Sequence, residues 1–275
     1  MPLSNCLSVP LLTEDDAFVK KSLGLVCSVG QVCDVSGSAL VTEGGAEVLC
    51  SVHGPRSSQK NQTMDSAQVD CEVRYAPLVE APTFSTFGTT GVVSTTSMDT
   101  SSSSSTQMTT TSSSASGQPK SFIEKMICEN LRVALLGMIR VESYPKMNIS
   151  IHTTVMESSG NIGQDLAAAI TCVSLALADA SIEMLDLVTA STVGLPSEQG
   201  GQPIIHHSVP VGDQRASSYV TVCSRCNAPE IPQIWSEGRL NAQQLFRLLE
   251  EGCRRNTVKQ TLVEAALREK VVKGI

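Results

Sequence analysis

The sequence predicts a mixed α/β (α+β) fold, in which helices pack on a mixed sheet. Three observations lead to this fold class. Strand and helix patterns follow one another in the order strands, helix, strand, helix, strands, helix. Hydrophobic residues make up 41% of the 275 residues, which is enough for a sizeable core. A stretch rich in Ser and Thr interrupts this order once, and the strands before it need the helices after it as a cover.

The first predicted elements are the strands of a β-hairpin. Strand patterns at residues 37–43 and 46–52 are joined by Gly44-Gly45, which supplies the positive φ of a tight turn. Gly54-Pro55 is expected to end the second strand. Residues 69–75 form a third strand with apolar side chains on one face and charged side chains on the other. Together these strands are expected to make a short meander with one face to cover.

The covering helix is predicted after the Ser/Thr-rich stretch. Ser121 and Glu124 form a capping-box pattern at its start. Its apolar residues recur at helical spacing, and they are Ile123, Ile127, Leu131, Ala134 and Met138. This helix is expected to pack on the meander.

The remaining elements alternate between strand and helix. A strand at residues 148–155 precedes a helix at residues 163–179, which is apolar almost all round and is therefore expected to be buried. Strands at residues 188–195 and 220–224 follow, and a helix at residues 241–270 closes the chain.

The domain organisation follows from composition. Residues 85–118 are predicted to be a disordered insertion, because runs of Ser and Thr cannot bury enough apolar surface to offset the entropy of ordering. The segments on the two sides of this insertion are expected to form one domain, because the strands before it need the helices after it as a cover. We therefore expect an N-terminal tail at residues 1–22 and a single domain at residues 23–275 that the insertion interrupts.

Charge and hydropathy exclude several classes of protein. Lys and Arg total 20 against 27 Asp and Glu, so the formal net charge is -7. A protein that binds nucleic acid over its whole surface would be expected to be basic, so any RNA contact is expected to be local. No run approaches about 18 uninterrupted apolar residues, so no membrane span is expected. The acidic start of the chain does not resemble a secretory signal. The ten cysteines are therefore expected to be reduced and mostly buried.

Three segments in combination resemble the RNase PH family. They are the hairpin through Glu43-Gly44-Gly45 to Gly54-Pro55-Arg56, the strand at residues 69–77, and the helix and turn at residues 167–188. The resemblance covers roughly residues 23–270 apart from the insertion, and it implies the RNase PH fold, which is ribosomal protein S5 domain 2-like. The RNase PH-like subunits of the eukaryotic exosome ring are the most similar branch. The Gly-Pro-Arg ending and the segment around Asp186 favour one particular ring subunit.

The resemblance implies a phosphorolytic site with basic groups for phosphate and RNA and paired acids for a divalent ion. Such positive charge offsets the charge that develops on the transferred phosphoryl group. Active members keep an Arg just ahead of the first helix, where this chain has Pro119 beside Lys120. They also keep several Asp residues where residues 199–224 have only Asp213. One carboxylate rarely holds Mg²⁺. We therefore predict no catalytic residue, no metal, no cofactor and no intrinsic nuclease activity.

A noncatalytic role is what this departure implies. The chain is expected to be a subunit of the RNA exosome core ring that scaffolds the complex and lines the RNA channel. The implied processes are 3'-5' RNA processing and degradation, including rRNA maturation and mRNA turnover. The implied partners are other RNase PH-like subunits in a hetero-hexameric ring, an S1/KH-type cap subunit and RNA, with no membrane. The implied compartments are the nucleus, nucleolus and cytoplasm.

Arg56, Arg74 and Lys120 are the candidate RNA-binding residues. The resemblance implies that the end of the hairpin and the start of the first helix face the central pore of the ring. The alternative for each residue is an ordinary solvated surface charge.

Other functional classes stay open. One is an active phosphorolytic 3'-5' exoribonuclease or nucleotidyltransferase that works as a homo-oligomer. Another is a small regulatory binding module with a long flexible arm at residues 85–118. Co-purification with different homologues would favour the ring subunit, whereas a homohexamer would favour the enzyme.

The other local patterns in the sequence do not indicate a specific site. Cys223 and Cys226 have zinc-ligand spacing with His206 and His207 upstream, but the second spaced pair of a structural zinc module is missing, so we interpret them as ordinary strand and loop residues. No Gly-x-Ser-x-Gly elbow or P-loop occurs in the sequence. Residues 160–163 are predicted to be a turn before a helix rather than a phosphate cradle.

Overall fold

The computed structural model describes residues 24–57, 66–82, 120–196, 216–228 and 230–273. Their strands are β1 (Val26–Val29), β2 (Gly37–Glu43), β3 (Ala46–Ser57), β4 (Gln68–Tyr75), β5 (Met147–Glu157), β6 (Val188–Pro196), β7 (Ala216–Arg225) and β8 (Gln233–Glu237). Their α-helices are α1 (Lys120–Leu136), α2 (Ile162–Asp179) and α3 (Ala242–Lys273), and a 3-10 turn occupies Val141–Ser143.

The strands form two sheets. The first has the order β1-β2-β3-β5-β4, with β4 parallel to β5 and the other neighbours antiparallel. The second has the antiparallel order β6-β7-β8. The first sheet is therefore mixed. The predicted α/β class and RNase PH-like element order are confirmed.

α2 lies between the two sheets and is buried along almost its whole length. On one side, the thiol of Cys172 donates to the carbonyl oxygens of Ala39 and Val48 in the first sheet, each at 3.2 Å. On the other side, Ser174 Oγ accepts from the amide of Val188 in β6 at 2.9 Å. α2 is long and apolar enough to cross a membrane, but this burial between two sheets is that of a core helix.

α3 packs on the opposite face of the second sheet. The contact is close at Gly252, where a Cβ would lie 2.7 Å from a methyl group of Val222. Four layers result, namely first sheet, α1 with α2, second sheet and α3. A similar close approach fixes Gly37, because a Cβ there would lie 2.3 Å from the backbone nitrogen of Ala180 after α2.

A buried ion pair joins α3 to the hairpin. Lys259 and Glu43 are paired, and Lys259 also donates to the carbonyl oxygen of Ala190 in β6. Burial lowers the pKa of Lys259, and the charge of Glu43 opposes that shift. Arg255, one turn earlier, donates to the carbonyl oxygen of Thr192 at 3.1 Å, and burial lowers its pKa to about 10. These cations tie the last helix to two strands.

The structure corrects four expectations. β3 does not end at Gly54-Pro55, because a register shift between His53 and Arg56 lets the strand continue to Ser57. The three N-terminal strands do not make a meander, since β5 lies between β3 and β4. α1 packs on β4, while α2 covers the hairpin. The short strands β1 and β8 were not predicted.

Other predicted features lie outside the described residues. These are the tail at residues 1–22, the insertion at residues 85–118 and the loop that contains Asp213.

Candidate functional site

The N-terminal end of α2 is where the segments implicated by sequence meet. β4 ends at Tyr75, whose hydroxyl donates to Asp165 in the first turns of α2 at 2.9 Å. Lys120 begins α1, and its ammonium lies 5.9 Å from the centre of the Tyr75 ring. Asn161, the N-cap of α2, bonds the side chain of Tyr219 in β7. The C-terminal end of β6 and the N-terminal end of β7 therefore lie near this end of α2.

The carboxylate of Asp165 accepts the hydrogen bonds of several donors at the N-terminal end of α2. Asp165 accepts from the hydroxyls of Ser158 and Ser159 at 2.6 and 2.8 Å, from the amide of Ser159 at 2.9 Å, and from Tyr75. Burial raises the pKa of Asp165, and the four donors act in the opposite direction. Burial, with the adjacent Asp165 charge, also raises the pKa of Tyr75, so its hydroxyl stays a donor.

The backbone amides of the turn before α2 are also used internally. The amides of Gly160 and Asn161 donate to Ser158 Oγ and Ser159 Oγ, both at 3.2 Å, and the amide of Gly163 donates to Asn161 Oδ1 at 2.8 Å. A helix start binds an anion by offering free amides and a positive dipole end. Here the turn holds its own carboxylate, and these contacts are those of a turn before a helix.

Lys120 has an internal role in this arrangement. Its Nζ donates to the carbonyl oxygens of Ala76 at 2.8 Å and of Val79 at 3.1 Å. The amide of Val79 also donates to the carbonyl oxygen of Ala76 at 3.0 Å, which closes a turn after β4. Two of the three ammonium donors of Lys120 therefore hold backbone. Its contact with RNA stays a prediction.

Arg56 and Arg74 lie on a different surface, the face of the first sheet that points away from the helices. Residues directly opposite one another in neighbouring strands share a face. Arg56 is opposite Asn148, and Arg74 is opposite Thr154, on the two sides of β5. Both arginines are exposed. We call this surface the open face; it is formed by β3, β5 and β4.

A chain of side-chain contacts crosses the open face between the two arginines. Arg56 lies 3.3 Å from His53 Nδ1, and the rings of His53 and His152 meet edge to face at 5.5 Å. His152 Nδ1 lies 3.1 Å from Glu72, which accepts from Arg74 Nε at 2.7 Å. Sequence reasoning placed the arginines separately, whereas the structure joins them through two histidines and a glutamate.

The electrostatics of the open face are balanced rather than strongly basic. The hydrogen bond from Arg74 holds the pKa of Glu72 below its usual value. Burial lowers the pKa of His53, and the charge of Arg56 lowers it further. Arg56 therefore has a mainly neutral neighbour, while Arg74 is already paired with an acid. Of the two, Arg56 carries the charge that is better placed to meet a phosphate.

The structure also places the predicted zinc-spaced pair. Cys223 is buried in β7, opposite Ala190 of β6, and burial raises the pKa of Cys223 and Cys226 to about 12. Within the described ranges, no group of three or more His, Cys, Asp or Glu side chains could hold a metal ion. His206, His207, Asp213 and Pro119 lie outside those ranges.

Sequence reasoning missed two buried acids. Asp165 was one, although Asn161 four residues earlier is an N-cap residue type that marks the start of a helix. Asp186 is the other, since its carboxylate accepts from the amide and the side chain of Asn227 at 2.7 and 2.8 Å. No local sequence pattern predicts the contact between Asp186 and Asn227, because the two residues are far apart in the chain.

Comparison with known proteins decides the family. The sequence model of the 3' exoribonuclease family, domain 1, known as RNase PH, matches residues 24–183. The chain belongs to the RNase PH family. This confirms the family that the sequence resembles.

Individual relatives of this RNase PH-family chain are exosome components by name. It is 28% identical to exosome complex component mtr3 of Schizosaccharomyces pombe over 88% of this chain and 82% of the relative. It is 25% identical to exosome complex component MTR3 of Homo sapiens, again over 82% of the relative. It is 33% identical to an RRP41-like exosome component of Arabidopsis thaliana, over 60% of this chain and 50% of that protein. The Mtr3 subunit is the one that the Gly54–Arg56 ending and the Asp186 segment favour.

A solved structure agrees on the fold of this RNase PH-family chain. Rice Rrp46 superimposes with a TM-score of 0.63 over 89% of this chain and 95% of that protein, at 16% sequence identity. At that identity, the likeness supports the fold and nothing further.

Proposed function

We propose that this chain is a noncatalytic RNase PH-like subunit of the exosome core ring, of the Mtr3 type. The observation that carries the proposal is its likeness to two Mtr3 proteins over 82% of their length. A match over 88% of this chain extends beyond residues 24–183, which the family model matches. The chain scaffolds the ring and forms part of the channel wall for 3'-5' RNA processing and degradation.

The absence of catalysis is supported by charge at the end of α2. Phosphorolysis needs a place for inorganic phosphate, with positive groups that meet the charge on the transferred phosphoryl group. At this end the donors of Ser158, Ser159 and Tyr75 converge on Asp165, and Lys120 is bound to backbone. A buried acid at this position opposes a second anion. The described part of β7 adds no acid for a metal ion.

The partners follow from the same proposal. Other RNase PH-like chains complete a hetero-hexameric ring, and an S1/KH-type cap subunit contacts its rim. RNA passes through the channel, where Arg56 is the best-placed of the three candidate contacts. The assembly works in the nucleus, nucleolus and cytoplasm.

The composition of the native complex tests the ring-subunit proposal. A tagged copy of the chain, purified from its own cells and measured by native mass spectrometry, is expected in one copy beside several different RNase PH-like chains. A homohexamer, or a chain with no such partners, would overturn the proposal. Labelling the same tagged chain with a fluorophore tests the compartments.

A further inference from the structure

The four outer edges of the two sheets differ in how they are covered. An outer edge presents main-chain amides and carbonyls in a row, which is a template for another strand unless something covers it. In the first sheet, α1 covers β4: Glu124 accepts from the amide of Tyr75 at 2.9 Å, and Cys128 donates to the carbonyl oxygen of Cys71 at 3.1 Å. At the other edge, α3 lies over β1, where Lys270 reaches Gly30.

The outer edge of β6 in the second sheet is covered from both sides. Ser174 and Thr171 of α2 accept from the amides of Val188 and Ala190, at 2.9 and 3.4 Å. Lys259 and Arg255 of α3 donate to the carbonyl oxygens of Ala190 and Thr192. In an antiparallel strand, the main-chain amide and carbonyl of every second residue point to the same side. The registers of β6 with β7 and of β7 with β8 therefore fix which main-chain groups of β8 point outward.

β8 is the remaining edge. It ends the order β6-β7-β8, and no strand in the described ranges pairs with its far side. The main-chain groups of Val188 and Ala190 point away from β7, so those of the alternate residues, Thr189 and Ser191, bond to β7. By the same alternation, the main-chain groups of Thr221 and Cys223 in β7 bond to β8. Their β8 partners are Gln233 and Trp235. The main-chain groups of Ile234 and Ser236 therefore point outward.

An apolar stripe on α1 flanks this edge. Phe122, Met126, Asn130 and Val133 follow one another at helical spacing on one side of α1. Asn130 Oδ1 accepts from Gln233 Nε2 of β8 at 2.6 Å, which places the stripe beside β8. Phe122 and Val133 are 47 and 46% exposed, and Ile234 on the other face of β8 is 44% exposed. Exposed apolar side chains therefore lie on both faces next to the open edge, among polar ones.

We propose that the β8 edge and the α1 stripe bind an extended segment of a neighbouring ring subunit, which adds to the second sheet as a further strand. An extended polypeptide is the partner that pairs with a row of outward amides and carbonyls at this spacing, as in strand addition to a sheet edge. The segment is apolar on both faces, since one face covers Phe122 and Val133 and the other lies beside Ile234. This assignment rests on the proposed ring function and names the surface that makes the contact.

A proline substitution tests the main-chain pairing. Ser236→Pro removes an outward amide and leaves the bonds between β7 and β8 in place, whereas the matched control Ser236→Ala keeps that amide. The full-length chain is co-expressed with its RNase PH-like partners, and the assembled ring is measured by native mass spectrometry. We expect at least a tenfold loss of assembly for Ser236→Pro and none for Ser236→Ala.

A second pair of variants tests the stripe. Val133→Glu places a charge where the segment would pack, and Phe246→Glu makes the same change at an exposed position of α3. We expect the first variant to weaken assembly and the second to assemble normally. Equal assembly of Ser236→Pro, Val133→Glu and the wild type would overturn the proposed surface while leaving the ring function intact. Failure of the wild type to assemble would instead overturn the ring function.

Hydrogen exchange on the wild-type chain gives a test that needs no variant. The outward amides of Ile234 and Ser236 are expected to exchange at least tenfold more slowly in the assembled ring than in the isolated chain. Unchanged exchange at both amides in an assembled ring would contradict strand addition at β8.

Discussion

At the scale of single residues, the same charged side-chain type serves different purposes. Lys120 and Arg56 look equivalent in the sequence, because each is a basic residue at the boundary of a predicted element: Arg56 follows the hairpin and Lys120 begins the first helix. The structure separates them: Lys120 donates to two carbonyl oxygens of the turn after β4, while Arg56 lies exposed beside His53. Sequence alone cannot make this distinction, because the carbonyl groups that bind Lys120 belong to a turn about 40 residues away along the chain.

This difference predicts separable effects of substitution. Lys120→Met is expected to lower the free energy of unfolding by about 1–2 kcal/mol, because two hydrogen bonds from a charged group are lost at a partly exposed site. Arg56→Glu is expected to leave stability within about 0.5 kcal/mol and to weaken RNA binding by the assembled ring. Urea denaturation and RNA binding at two salt concentrations measure the two effects. A loss of RNA affinity with unchanged stability in Lys120→Met would reverse the assignment.

The buried pair of Lys259 and Glu43 predicts an asymmetric response. Lys259→Ala is expected to destabilise the fold by about 3–5 kcal/mol, because Glu43 is left as an unpaired charge in the core. The double variant Lys259→Met with Glu43→Gln removes both charges and is expected to cost much less. Urea denaturation of the three proteins measures this. A double variant at least as unstable as the single one would show that the charge pairing is not the cause.

The buried thiols predict a loss of stability at alkaline pH. Burial raises the pKa of Cys223 to about 12, so the folded chain keeps a proton that the unfolded chain releases above its ordinary value of 9.0. The free energy of unfolding therefore falls as the pH rises from about 9 to 12, by up to about 1.4 kcal/mol per pH unit for each such thiol. In reducing buffer, Cys223→Ala is expected to make this fall shallower by about that amount. An identical slope in both proteins would contradict the assignment.

At the scale of elements, long periodic segments were predictable and short ones were not. The hairpin, α1, β5, α2, β6 and α3 carry patterns that the structure confirms within a few residues. β1 and β8 are four and five residues long, too short for a period to stand out. The position of β5 between β3 and β4 was also not predictable, because strand order is set by packing between distant segments. The open face and the network around Asp165 depend on that order.

The start of α2 provides a test at this scale. Asp165→Ala removes the acceptor of four hydrogen bonds and leaves Ser158, Ser159 and Tyr75 without their partner, so the free energy of unfolding should fall by roughly 2–4 kcal/mol. Asp165→Asn keeps the shape and part of the bonding, and it should cost less. Thermal unfolding ranks the two variants. Equal stability of Asp165→Ala and the wild type would mean that these contacts do not order the turn.

At the scale of the whole molecule, the layered fold separates two kinds of surface. The end of α2 is closed by its own carboxylate and by Lys120, whereas the edge of β8 and the exposed apolar residues of the α1 stripe are uncovered in the described structure. In this member of a 3' exoribonuclease family, the N-terminal end of α2 is occupied by its own side chains, and exposed apolar residues flank the β8 edge. This is the architecture expected of a subunit that shapes a ring without cutting RNA.

A phosphorolysis assay tests the proposed lack of catalysis in a single reaction. The purified chain is incubated with single-stranded RNA, inorganic phosphate and Mg²⁺, beside an Asp213→Ala variant that lacks the one acid of the segment at residues 199–224. We predict that the RNA keeps its length in both reactions. Shortening of the RNA by the wild-type chain that is lost in Asp213→Ala would contradict the proposed lack of catalysis.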